Sequence, residues 1–101
     1  MRVTGHGLSI AVVWTGDIVV VFLEGKLDGH SAPLLVDTLE RLVPQCGGGL
    51  WLELAGVDRI DAVGAAAIAR VCRLSSELGR ECLLRSPSSA VALALAGARP
   101  D

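Results

Sequence analysis

Asp28-Gly29-His30-Ser31 gathers a carboxylate, an imidazole and a hydroxyl within one short segment, the residue types that a hydrolase relay uses. The spacing argues against that use. Side chains so close along an extended loop do not line up serine to histidine to aspartate, and the chain has no Gly-x-Ser-x-Gly elbow to strain a serine into position. His6 and His30 lack further ligands at zinc-like spacing. Cys46, Cys72 and Cys82 are odd in number, far apart in sequence and free of any Cys-x-x-Cys pairing. They give neither a disulfide framework nor a zinc site, and read as small hydrophobes in a reducing compartment. Gly47-Gly48-Gly49 lacks the lysine and hydroxyl of a phosphate loop and precedes a strand instead of following one. The expectation is a domain without catalytic residues, metal or cofactor.

The second group with chemical content is Val57-Asp58-Arg59-Ile60-Asp61-Ala62-Val63-Gly64, which joins an apolar strand to an alanine-rich helix. Asp61 stands where a carboxylate caps the helix that follows, and Gly64 lets its first turn approach a neighbour closely. A turn of this kind presents backbone N–H groups to an anion. Asp28 is the other carboxylate of interest, and both aspartates also fit a plain capping role.

The elements that position these residues follow from periodicity. Leu8 to Trp14 and Ile18 to Leu23 are β-branched apolar runs separated by Thr15-Gly16-Asp17, which predicts a hairpin. Residues ahead of Leu8 read as unstructured, and Gly25 to His30 as a polar loop ending at Ser31, a candidate N-cap. A helix is predicted from about Ala32 to Val43, with Leu35, Leu39 and Leu42 or Val43 on its buried stripe and Pro44 and the glycines ending it. Leu50 to Leu54 alternates, so Trp51 and Glu53 share the face away from Leu50, Leu52 and Leu54.

A second helix is predicted from about Ala62 to Leu78, burying Gly64, Ala67, Ile68, Val71, Leu74 and Leu78 and closed by Gly79. Its outer side carries Ala62, Ala66, Ala69, Arg70, Arg73 and Glu77. Those alanines leave a shallow surface for a second protein, with Arg70 and Arg73 placed to meet carboxylates at its rim. Glu81 to Arg85 reads as a short strand and Ala90 to Ala96 as a last helix after Ser86-Pro87-Ser88. Strands alternating with helices imply parallel pairing through right-handed crossovers.

Composition narrows the class. A chain of 101 residues with 51% hydrophobic and 20% charged residues is one globular domain, 1–101. A net charge of −2 and only Trp14, Phe22 and Trp51 as aromatics provide poorly for nucleic-acid binding. No apolar run approaches the ~20 residues that span a bilayer, and no secretion signal is present, so the expected location is the cytoplasm, without direct membrane insertion. Trp51 calls for cover, from the first hairpin through Trp14 or Val12, or from a second copy in a homodimer.

Three segments carry a family resemblance: Leu23-Glu24-Gly25-Lys26-Leu27-Asp28, the stretch from Leu52 to Asp61, and Ser86-Pro87-Ser88-Ser89-Ala90-Val91. In this order and spacing the chain resembles the STAS family, and in particular its anti-sigma factor antagonists. The resemblance implies an α/β fold: a hairpin, then alternating helices and mostly parallel strands, one sheet with helices packed on it. It implies a non-enzymatic bacterial protein of transcription regulation that binds a kinase-type anti-sigma factor. Asp28 would lie beside the recognition turn, and the turn and second helix would meet the partner.

In that family the turn reads Asp-Ser-Ser-Gly, and phosphorylation of its second serine adds a charge of about −2 that expels the partner. Here the serine positions are Ala62 and Val63, which have no hydroxyl. The switch is absent from this turn. The chain also stops where family members usually continue into a further strand and helix. The alternative reading is the STAS accessory subunit of a lipid-transport ABC system, seated on the transporter's ATPase.

Overall fold

The computed structural model describes residues 1–97, with Ala90 through its backbone alone, so the last four residues of the expected 1–101 domain lie outside the described part. The order is β1 (Arg2–Gly5), β2 (Leu8–Thr15), β3 (Ile18–Leu27), α1 (Ala32–Leu42), a 3-10 turn (Val43–Gln45), β4 (Gly49–Ile60), α2 (Ala62–Glu77), β5 (Cys82–Arg85) and α3 (Ser89–Gly97). One mixed sheet runs in sequence order from β1 to β5. The first two pairings are antiparallel, and β3–β4 and β4–β5 are parallel.

The alternation read from the sequence sorts the two faces of the sheet. Leu8, Ile10, Val12, Val19, Val21, Leu23, Leu50, Leu52 and Leu54 are buried in the core. They meet Leu35, Leu39, Leu42 and Val43 from α1 and its 3-10 extension, and Ala67, Ile68 and Val71 from α2. Each such aliphatic side chain contributes on the order of 1.5–3 kcal/mol by leaving water. The other face holds Val13, Val20, Trp51 and Leu83 in one cross-strand row and Ala11, Phe22, Glu53 and Arg85 in the next.

Several expectations need correction. Residues 2–5, read as unstructured, form β1 against β2 through a tight turn in which His6 and Gly7 both have positive φ, 54° and 82°. That left-handed pair fits the twist of a two-residue hairpin turn. The segment read as a loop from Gly25 belongs to β3, which continues through irregular register at Phe22/Glu24 and Gly25/Lys26 to the fully buried Leu27. Gly25, at φ 99°, lies so close to the Gly7 carbonyl that a Cβ would overlap it. The third predicted strand likewise extends to Ile60, past Ala55 and Gly56, which interrupt its alternation.

Leu78, expected on the buried stripe of α2, is exposed, because the helix has ended and Gly79 turns the chain at φ 72°. Ser75 takes an inward position instead, its hydroxyl donating to the carbonyls of Arg80 and Glu81. Val12 is in the core on the helix side and does not cover Trp51. The Arg85 guanidinium does, 5.2 Å from the ring centre. Cys72 and Cys82, distant in sequence, have their sulfurs 2.8 Å apart.

Candidate functional site

The adjacent parallel strands β3 and β4 end in register, Leu27 opposite Ile60, so Asp28 and Asp61 leave the sheet side by side. This is the carboxyl end of the parallel strands, where ligand sites of α/β sheets gather. Asp61 N–H donates to the Leu27 carbonyl at 3.2 Å, tying the second turn to the end of β3.

The first turn closes on itself. Asp28 Oδ1 accepts the backbone N–H groups of His30 at 2.9 Å and Ser31 at 3.1 Å. Ser31 is fully buried; its hydroxyl accepts from Asp28 N–H and donates to the Lys26 carbonyl at 2.8 Å. Ser31 occupies the N-cap position of α1 but its side chain does not cap the helix. Asp28 performs the cap expected of Ser31, because an Asx turn reaches the free N–H groups from three residues back. The N–H of Ser31, followed by that of His30, holds the Asp28 carboxyl below its usual value of 3.8. The hydroxyl that a hydrolase relay needs is thus committed to the backbone.

The second turn is open. Asp61 is the N-cap of α2, with extended backbone and Oδ1 accepting from Gly64 N–H at 2.8 Å. Gly64 is buried against the end of β3, where an added Cβ would overlap the Leu27 carbonyl. Between cap and glycine, Ala62 and Val63 are exposed, Val63 at 54%. An apolar side chain thus sits on the rim of a helix N-terminus whose backbone favours an anion.

From Val63 a groove of about 460 Å³ runs between the two helices, lined by Pro33, Val36 and Glu40 of α1 and by Val63, Ala66 and Arg70 of α2. Sequence reasoning missed the α1 wall. Its signal was present, since positions 33, 36 and 40 repeat at helical spacing beside the buried Leu35 and Leu39. Of the residues expected to form the outer surface, Val63, Ala66 and Arg70 come together here. Ala62 and Arg73 are exposed outside the groove and Ala69 is half-buried. Arg70, expected at the rim for a partner's carboxylates, already pairs with Glu40 at 2.7 Å and bridges the helices. Arg73 makes no ion pair among the described residues.

Among the described residues no His, Cys, Asp and Glu cluster arranges a metal site, and no helix is long and apolar enough to cross a membrane.

The same architecture recurs in solved structures. RsbS from Moorella thermoacetica, as a serine-to-glutamate variant, aligns with a TM-score of 0.77 at 24% identity, over 91% of this chain and 79% of that one. The unphosphorylated anti-sigma factor antagonist SpoIIAA aligns with a TM-score of 0.70 at 17% identity, over 83% and 78% of the two chains. A crystal structure of Mglu aligns with a TM-score of 0.70 at 31% identity over 78% of this chain, which spans only 20% of Mglu. No curated protein matches by sequence. At these identities RsbS and SpoIIAA establish the fold. Family membership rests on the sequence itself: the STAS domain model matches residues 9–98, and the chain belongs to the STAS domain family.

Proposed function

We propose that this STAS domain is a non-enzymatic protein-binding module of the anti-sigma factor antagonist kind, engaging a kinase-type anti-sigma factor or a related ATPase. The contact surface is Asp28, the Asp61–Gly64 turn and the outer side of α2, including Ala66, Ala69, Arg70 and Arg73. Binding is not switched by phosphorylation of the turn. One observation carries the reading: Val63 is exposed at the capped, glycine-anchored start of α2 and carries no hydroxyl.

The physical consequence is a constitutive interface. A phosphoryl group at this position places about two negative charges on a surface that must dry when a partner docks. Val63 instead adds apolar area beside Pro33 and Val36. The resemblance to SpoIIAA and RsbS supports the kind of partner, and the shallow, alanine-lined groove supports close packing of a helix or loop.

The test is to form the complex with a kinase-type anti-sigma factor and add ATP. The complex should persist, and no phosphate should map to residues 60–65. Phosphate on that turn, or release of the partner by ATP, contradicts the proposal. Association with the ATPase of an ABC transporter and not with an anti-sigma factor would reassign the partner while leaving the surface in place.

A further inference from the structure

The sequence presents three cysteines as small hydrophobes far apart along the chain, and the fold brings two of them together. Cys72 sits in the second half of α2 and Cys82 opens the edge strand β5. Their sulfurs are 2.8 Å apart, a thiol contact that ties helix to strand over a sequence separation of 10. Both residues are partly exposed. Cys46 differs: it is fully buried, its thiol donating to the Leu42 carbonyl at 3.3 Å. The chain thus carries one reachable pair and one enclosed thiol.

We propose that Cys72 and Cys82 form a reversible oxidation site, at which a hydroperoxide converts the dithiol to a disulfide that staples α2 to β5. A disulfide needs about 2.05 Å between sulfurs, so closure asks for an approach of less than about 1 Å. The hydrogen bond with Cys82 holds the Cys72 thiol below its ordinary range, and the same contact, with burial, pushes Cys82 up. Attack by either sulfur closes the same disulfide; with Cys72 as attacker, Cys82 is the resolver.

In the first step the Cys72 thiolate attacks one peroxide oxygen, the O–O bond breaks, and hydroxide leaves, giving a sulfenic acid. In the second, the Cys82 sulfur displaces the sulfenic oxygen, which departs as water as the S–S bond forms. The sum is two thiols plus hydrogen peroxide giving one disulfide and two waters. A small dithiol reverses it by exchange.

The bond would act through packing. The cross-link would tie the later turns of α2 to β5, the edge of the sheet, leaving Val63 about two and a half helical turns from Cys72. Oxidation should therefore stiffen the C-terminal half of the helix without touching the recognition turn, and it stands independently of the proposed partner.

The experiment uses the whole reduced chain, treated with equimolar hydrogen peroxide, alkylated in denaturant, and read by intact mass and peptide mapping. The expected product has lost two hydrogens, carries one alkylated thiol at Cys46, and yields a linked peptide containing Cys72 and Cys82. Dithiothreitol should restore three alkylated thiols, and Tm of the oxidised form should rise by several degrees. Cys82→Ser should instead leave a Cys72 sulfenic acid that dimedone traps, with no rise in Tm. Three alkylated thiols after peroxide, a bond involving Cys46, or a covalent dimer as the main wild-type product overturns the proposal, and the wild-type map decides it even if the variant folds poorly.

Discussion

Two strand-to-helix turns leave the same end of the sheet from adjacent strands, and they are built to opposite ends. The Asp28 turn spends its polar atoms inward: one carboxylate oxygen holds two backbone N–H groups, and the neighbouring serine is buried with its hydroxyl bound on both sides. The Asp61 turn uses a single cap to Gly64 and leaves Ala62 and Val63 facing out. A turn whose polar atoms serve to start a helix can close on itself. The turn proposed to recognise another surface is fixed at its two ends by Asp61 and Gly64 and left bare between them.

The contrast can be broken most forcefully at Gly64. Gly64→Ala drives a methyl group into the Leu27 carbonyl, so α2 must shift away from β3, with an expected loss of about 3 kcal/mol in urea unfolding. A variant as stable as wild type would show that α2 moves freely there and that the turn is not anchored.

Asp28→Ala comes next, freeing the N–H groups of His30 and Ser31 together and lowering Tm by a few degrees. Its pH signature sharpens the distinction. The folded pKa lies below the ordinary 3.8, so the stabilisation is present above about that pH and is lost as pH falls through the lower folded value. Wild type should therefore lose more stability than Asp28→Asn between pH 5 and pH 2.5, measured by urea midpoints. Parallel curves would mean that the charge of Asp28 contributes nothing.

Asp61→Ala removes one cap and should lose about 1 kcal/mol, restored largely by Asn or Ser. Val63→Asp should change stability least, within about 0.5 kcal/mol, because the position is exposed and a helix N-terminus favours an anion.

The sequence made part of this comparison legible. Asp61 was readable as a cap because capping is local, Gly64 signalled a close approach without showing that its neighbour is Leu27, and α2 announced itself by its buried 64, 67, 68 and 71 stripe. In the first turn Ser31 and Asp28 both read as competent caps, and only the path of the chain chooses Asp28 between them. β1 was invisible because a four-residue strand ending in glycine has almost no periodicity, and its pairing partner supplies the structure. The far half of β4 was hidden by Ala55 and Gly56, and the α1 wall of the groove by the need to know how two helices pack. The proximity of Cys72 and Cys82 is a tertiary fact that spacing cannot give.

The central claim is that the bare turn at Val63 is a docking surface. Its most direct test measures, on the same preparations of wild type and Val63→Asp, the affinity for the partner ATPase by calorimetry and Tm. With Tm unchanged, the account predicts binding weaker by about 1–3 kcal/mol, the cost of drying an unpaired charge at an interface. Equal affinity with an intact fold would contradict it and place the interface elsewhere on the domain.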